Sequence, residues 1–572
     1  MVALTTREYA RLFLPKLVTV LREGYGLRDL RADTLAGLTV AIVALPLAMA
    51  LAIASGASPE KGIYTAIVAG FLVSALGGSR VQIGGPTAAF IPVVFGVIQR
   101  FGFGGLILCT LLAGILLIAA GLLRLGTLMK YMPQPVITGF TAGIAVSIFS
   151  SQVKDALGLS MDQVPAEFVD RWAAYAAHVT TVQPAALFLT VFSLVVIFAL
   201  RRYRPQWPGF LVAVVLCTLI AAGLHFSVDT IGTRFGGLPS SLPVFAIPRI
   251  PFERTGELLR SSFTIAFLAG VESLLSAVVA DGMTGGRHRS NAELVAQGVA
   301  NIGSAVFGGL PATGAIARTV TNIRTGGRTP VAGITHAFFL LIFVLLLGPY
   351  MRYVPLAALA GVLLVVAWNM SEIEQFRQTL SAPRGDWSVL ILTFVLTVAF
   401  DLTLAVEAGL VVSSFVFMFR MSQSVEVAAG RGTSEAIESE DNDGEDPTQR
   451  LRLPANVEVY QITGPLFFGT ASRMDALLDQ FQRRPKALIL RMSLVPLVDA
   501  TGVHALKGLC DRCRRTHITL VIEGLQAQPR RVVDQMHLTE RAGDFYLVND
   551  YEAALALVAA EIKPGVAAAS KA

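Results

Sequence analysis

The sequence predicts a polytopic α-helical membrane protein that carries a small cytoplasmic α/β domain toward its C-terminal end. Three observations lead there. Of the 572 residues, 54% are hydrophobic and only 15% charged, far from the balance of a water-soluble domain. Apolar runs of about 16–22 residues recur between Leu35 and Met421, the length that crosses a hydrocarbon core. Beyond Arg420 those runs stop, and an acidic stretch gives way to alternating strand-like and helix-like segments.

Residues 1–33 are mixed in charge and read as a cytoplasmic, interfacial helix bearing Arg7, Arg11, Lys16 and Arg22, with no cleavable signal pattern. The membrane domain, 34–421, divides into fourteen segments near 35–54, 62–77, 86–98, 104–122, 134–153, 184–200, 207–224, 259–280, 291–308, 313–323, 330–348, 354–369, 387–400 and 403–420. Loops after the even segments carry Arg80, Arg124 with Lys130, Arg201 to Arg204, Arg287 with Arg289, Arg324 with Arg328, and Arg377 with Arg384. The long loop 154–183 has only Lys154 and Arg171. This alternation places both termini in the cytoplasm and accounts for the formal net charge of +6 without nucleic acid as a partner. The acidic stretch 422–450 reads as a linker, 451–565 as the α/β domain and 566–572 as a disordered tail.

Segments three and ten are too short to span the bilayer as full helices. Their beginnings, GGPTAAF (84–90) and LPATGAIAR (310–318), share one plan: a Gly or Pro break, a hydroxyl, then small side chains opening an apolar helical run. Paired interruptions of this kind mark half-helices that meet at a midplane site in an inverted repeat. The register agrees, since Pro46 stands 41 residues before Thr87 and Glu272 stands 41 before Thr313. Fourteen segments then form a 7+7 inverted repeat. Helix N-termini offer unpaired N–H groups and partial positive charge, so the expected ligand is an anion.

Glu272 is the most informative single residue, a carboxyl in the middle of an apolar segment. An intramembrane acid faces a cavity or a partner, and loss of water favours its protonated form, which suits proton uptake; a purely structural hydrogen bond is the alternative. Ser276, one turn on, is either a cation ligand or a serine bonded to its own helix. Asp281 reads as a surface or gating residue, and Asp401 and Glu407 as solvated. Arg318 either adds fixed positive charge near the site or snorkels to the interface. Thr87 and Thr313 either donate to the anion or cap their half-helices. GFTAG (139–143) has the spacing of close helix packing.

Other chemistry finds no support. There is no phosphate-binding GxxxxGK[ST] loop, no histidine pair at metal spacing and no nucleophilic triad, so the chain does not read as an enzyme and no cofactor is expected. Four cysteines give no disulfide framework, and Cys510 and Cys513 read as one face of a helix.

At these residues the chain resembles the SulP sulfate-permease family of anion transporters with a C-terminal STAS domain. The resemblance runs through DTLAGLTVAIVALPLAMALA (33–52), SPEKGIYTAIVAG (58–70), GGPTAAF (84–90), GVESLLSAVVADGMTG (270–285), NIGSAVFGGLPATGAIARTVTNIRTGGRTP (301–330) and VAWNMSE (366–372). Within that family it is most similar to bacterial members that take up C4-dicarboxylates by proton symport, which share the glutamate at Glu272. The resemblance implies a core domain (segments 1–4 and 8–11) moving against a gate domain (segments 5–7 and 12–14), and a homodimer in the bacterial inner membrane. Lys61 departs from the family's second-segment signature. Sodium-coupled bicarbonate members have aspartate and threonine at the positions of Glu272 and Ser276, and threonine at that of Ile316, which favours a proton here. The STAS phosphosite serine is replaced by Ala500, followed by Thr501.

These readings converge on a secondary active transporter of small anions of the C4-dicarboxylate, sulfate or bicarbonate class, driven by proton symport through elevator or rocking motion. Substrate would contact Pro46 and Leu51 from the first segment, Thr87, Ala88, Ala89 and Phe90 from the third, and Thr313, Gly314, Ala315, Ile316 and Arg318 from the tenth. Glu272 and Ser276 would carry the coupling ion. Sodium-coupled bicarbonate uptake and an uncoupled anion channel or exchanger are the alternatives, and a regulatory protein is the expected partner of the STAS domain.

Overall fold

The computed structural model describes residues 12–127, 132–161, 164–165, 167–205, 207–237, 255–400, 402–429, 456–467 and 485–562. They fall in two compact units, 1–413 and 414–572. Arg7, Arg11, Lys130, Asp401 and residues 430–450 of the acidic stretch lie outside the described residues.

The helices of the first unit are α1 (Lys16–Glu23), α2 (Leu27–Ala54), α3 (Pro59–Leu76), α4 (Ile91–Leu122), α5 (Gln134–Leu157), α6 (Phe168–Ala177), α7 (Pro184–Tyr203), α8 (Gly209–Gly223) and α9 (Ile231–Phe235). They continue with α10 (Thr255–Thr284), α11 (Ser290–Val306), α12 (Ile316–Arg324), α13 (Val331–Met351), α14 (Leu356–Met370), α15 (Ile373–Leu380) and α16 (Arg384–Ala399); α17 (Leu402–Gln423) begins in the first unit and ends in the second. Each expected membrane segment overlaps a helix. The third and fourth are joined in α4, which breaks at Gly102 (φ 70°). Among the described residues, eight helical stretches are by length and composition able to cross a membrane.

The first membrane helix starts eight residues earlier than its apolar run, at Leu27. The reason is Asp33, a fully buried carboxylate that accepts from Arg328 N (2.8 Å), Thr329 N (3.2 Å) and Tyr25 OH (3.0 Å). A charge satisfied this way no longer ends a buried helix. Hydropathy alone could not show that.

Packing follows the repeat. α2 lies on α13 as α10 lies on α4, α3 on α13 as α11 on α4, and α5 on α16 as α14 on α7. One group, α2–α4 with α10–α13, forms the core; α5, α7, α8, α14 and α16 form the gate. GFTAG performs the expected role, since a Cβ at Gly139 would lie 2.5 Å from the Leu390 carbonyl oxygen and one at Gly143 2.5 Å from Thr397 Cβ.

The second unit is a five-stranded sheet, β3 (Glu426–Ala429), β4 (Val457–Thr463), β5 (Ala487–Leu494), β6 (Thr519–Glu523) and β7 (Phe545–Val548), ordered as numbered. β3 runs antiparallel to β4 and the rest are parallel. β3 falls within the stretch read as linker; four residues of EVAA carry too little pattern to be seen in advance. Alternate side chains of β5 and β6 feed two cores. Leu488, Leu490, Leu520 and Ile522 pack with Val503 and Leu506 of α18 (Ala500–Arg515). Ile489 and Val521 face Ala554 and Val558, which lie on a later helix; α19 spans Ala527–Gln535 and α20, the later one, spans Tyr551–Ile562.

In VDATGVH the Asp499 carboxylate accepts from Gly502 N–H (2.7 Å) and caps α18. Cys513 is buried in the domain core and Cys510 packs against it. Burial pushes both thiols up to about 12. At neutral pH almost no thiolate exists, and thiolate is the reactive species. Native protein at pH 7 should therefore resist maleimide at both cysteines, and denatured protein should label fully, as read by peptide mass spectrometry.

Candidate functional site

Two stretches of extended backbone meet inside the core. Gly84–Gly85 (β1) and Thr313–Gly314 (β2) pair antiparallel, Gly84 opposite Gly314 and Gly85 opposite Thr313. Each leads into a half-helix: β1 into a 3-10 turn, Ala88–Phe90, that feeds α4, and β2 into α12. Irregular backbone at membrane depth survives only where protein satisfies its polar groups.

Here nearly every partner comes from a side chain of a neighbouring core helix. Leu310 N–H donates to Thr65 (2.6 Å) and its carbonyl accepts from Ser304 (2.6 Å). Asn301 bridges both backbone groups of Ala312, at 2.9 and 2.8 Å. Ile83 N–H donates to Thr319 (3.1 Å), Ile83 O accepts from Ala315 N–H (2.9 Å), and Val81 O accepts from Asn322 (2.8 Å). Arg318 donates to the carbonyls of Gly84 (3.4 Å) and Pro86.

These contacts place several of the residues singled out in the sequence. Arg318 is 3% exposed and braces the first half-helix, so it does not snorkel. Thr87 donates its hydroxyl to Glu272 Oε2 (2.8 Å), and Thr313 donates to Ala269 O (2.7 Å), one turn before Glu272. Neither threonine caps its own half-helix with its side chain; both tie a half-helix to α10. Ser276 donates to Thr319 (3.2 Å), a link between α10 and α12. Asp281 accepts from the backbone and ring of His288 (2.9 and 2.6 Å), which fixes the turn after α10.

The half-helix starts offer fewer open donors than expected, because the Ala315 amide is committed to Ile83. Donors remain where a helix start always leaves them, in the first turn of α12 and at the 3-10 turn. The surface these starts present is small: Thr87 and Glu272 are partly exposed and Ile316 is 39% exposed. Ala88, Ala89, Phe90, Thr313, Gly314, Ala315, Pro46 and Leu51 are buried. Leu51 and the 88–90 turn share an apolar cluster with Phe140 and Ile144 of α5, so the site lies where core meets gate. Chemically the arrangement offers helix-end donors, one fixed guanidinium and one carboxyl within hydrogen-bonding reach of a half-helix hydroxyl.

Two features escaped sequence reading. Gln82 donates to Ser273 O (3.1 Å) and Oγ (3.0 Å), and its amide fills the space a side chain at Gly314 would need. A Cβ there would lie 1.5 Å from Gln82 Nε2. Gly314→Ala should reduce anion uptake at least tenfold in order of magnitude, with partial recovery on adding Gln82→Ala, because overpacking costs about 1–3 kcal/mol or more. The second feature is Glu293, fully buried, which accepts from Gly78 N (2.8 Å), Ser79 N (3.2 Å), Ser273 Oγ (3.0 Å) and Gln297 Nε2 (2.9 Å). Its position in the first turn of α11 reads as a surface acid favoured by the helix end, which hid it.

Fold and site together define a multi-pass membrane transport protein with an appended α/β domain. The chain belongs to the sulfate permease family: the family model matches residues 30–393, and the STAS domain model matches 450–549. It is 39% identical to YvdB of Bacillus subtilis over 93% of this chain and 98% of that one. It is 29% identical to the bicarbonate transporter BicA of a Picosynechococcus species, over 90% and 92% of the two chains. The structure of murine Slc26a9, an anion transporter in its inward-facing state, superposes with a TM-score of 0.84 at 18% identity, covering 97% of this chain and 96% of that one. At that identity the likeness speaks to fold.

Proposed function

We propose that this protein is a secondary active transporter that carries small anions across a bacterial inner membrane, with a proton as the coupling ion. The observation that carries the reading is the Thr87–Glu272 hydrogen bond, which joins the first half-helix start to a partly exposed intramembrane carboxyl. Protonation of Glu272 removes one negative charge beside the anion, so loading of proton and anion favour each other. The core then moves against the gate and exposes the site to the other side. The substrate class is C4-dicarboxylate, sulfate or bicarbonate, and the assembly is a homodimer.

The rigidity of the core supports such a motion, because both half-helices are tied by side chains to α10 and α11 and can move only with them. Proton rather than sodium coupling is favoured because the position that could add an oxygen ligand is Ile316, and a sodium ion needs several oxygens. Counterflow in proteoliposomes with labelled sulfate, bicarbonate and fumarate tests the substrate class. One of them should exchange saturably against itself, and large unitary currents instead would show a channel.

A further inference from the structure

One helix of the gate, α7, is 20 residues long and apolar enough to cross a membrane. Its residues Phe188, Val191, Val195 and Phe198 are 44% to 59% exposed. At about 100° per residue these four form a single stripe, and Arg202, itself exposed, continues it one turn on. The lipid-facing side of α7 therefore ends in a guanidinium, at the level where hydrocarbon gives way to headgroups.

The turn that follows reads RRYRPQW (201–207), and no acid stands between Asp170 and Asp229. Arg201 donates to Asn369 Oδ1 (2.9 Å), which ties this turn to the end of α14. That end surfaces abruptly: Ala367 is buried and Trp368 beside it is 62% exposed. Tyr203 and Trp207 are exposed as well. Three arginines and three amphipathic rings thus share one patch. Glu372 and Glu374, at the start of α15, are the acids nearest to Asn369 along the chain, and neither pairs with an arginine of the run. Among the described residues the Arg202 and Arg204 guanidiniums have no hydrogen-bond or ion-pair partner. A loop charge bias suffices to set topology, but it requires neither the rings nor the shared stripe. Tyr and Trp settle at headgroup level because one end of each ring is apolar and the other wet. A guanidinium fork at that level matches the geometry of a phosphate.

We propose that this patch binds the headgroup of an anionic phospholipid. Arg202 and Arg204 hold the phosphate, the rings lie beside the glycerol, and the acyl chains follow the α7 stripe. The site belongs to the gate and does not depend on what the core carries. Native mass spectrometry of the full-length protein in detergent, titrated with phosphatidylglycerol or phosphatidylcholine of the same acyl chains, tests it. Phosphatidylglycerol should bind saturably and at lower concentration than phosphatidylcholine. Arg202→Gln with Arg204→Gln should raise its half-saturating concentration roughly thirtyfold, the size of two basic side chains near an anionic headgroup. Binding of phosphatidylcholine should not change. Arg287→Gln with Arg324→Gln removes as much charge from exposed positions of the core and should alter neither lipid. Should the first pair fail to fold, Arg202→Lys with Arg204→Lys must keep the preference, and Trp207→Ala must weaken it. Equal affinity for the two lipids, or a glutamine pair indistinguishable from the parent, overturns the site. An equal loss in the core control would show general charge attraction and overturn it too. Displacement of the lipid by inorganic phosphate, but not by chloride at the same ionic strength, would assign the patch to a soluble anion instead.

Discussion

Glu272→Gln is expected to abolish proton-driven anion accumulation while leaving counterflow intact. With the membrane potential held at zero, a gradient of one pH unit stores about 1.4 kcal/mol per proton, enough for roughly a tenfold concentration ratio with one coupled proton. The amide cannot change protonation, so the ratio should fall to unity. It can still accept the Thr87 hydroxyl that the carboxyl accepts at 2.8 Å, so the half-helix stays tied and exchange of bound anion continues. Proteoliposome uptake with and without an inward proton gradient measures both quantities. A variant that still accumulates anion would remove Glu272 from coupling.

Glu293→Gln should be the most destabilising conservative change in the core. The carboxylate takes two donors on each oxygen: Gly78 and Ser79 amides on one, Ser273 and Gln297 on the other. A carboxamide has one acceptor oxygen; kept on the Gly78 and Ser79 amides, it turns its NH₂ toward Ser273 and Gln297, which must both reorient to accept. Losing a buried hydrogen bond to a charged group costs about 1.5–3 kcal/mol. Because Gly78 and Ser79 begin the limb that leads to β1, the first half-helix loses its anchor as well. Thermal unfolding in detergent should show a large drop for Glu293→Gln, with transport failing below that temperature. An unfolding curve that matches the parent would show that the network tolerates its loss.

The architecture was legible because hydropathy and charge alternation are read in long windows, and all but two of the fourteen expected segments are such windows. The half-helices were legible for another reason: Gly and Pro interrupt apolar runs in a way that only special backbone requires. Glu272 stood out because nothing apolar explains it. Glu293 did not, since an acid in a first helical turn has an ordinary explanation, and only the fold brings Gly78, Ser79 and Ser273 to it. Asp33 hid likewise among the charged residues before an apolar run. The roles of Thr87, Thr313 and Ser276 depend on contacts between segments some 40 to 190 residues apart, and no local pattern encodes which of two acceptors a hydroxyl will choose. Gln82 belongs to the same class, because its task is to fill the space left by Gly314.

The most direct test of this account is uptake by the purified full-length protein in proteoliposomes, using labelled sulfate, bicarbonate and fumarate under an inward proton gradient at zero potential. Saturable accumulation of at least one anion above its equilibrium concentration, collapsing when a protonophore dissipates the gradient, is the predicted result. Accumulation that ignores the protonophore, or the absence of transport for all three anions by protein shown to be folded, would contradict it.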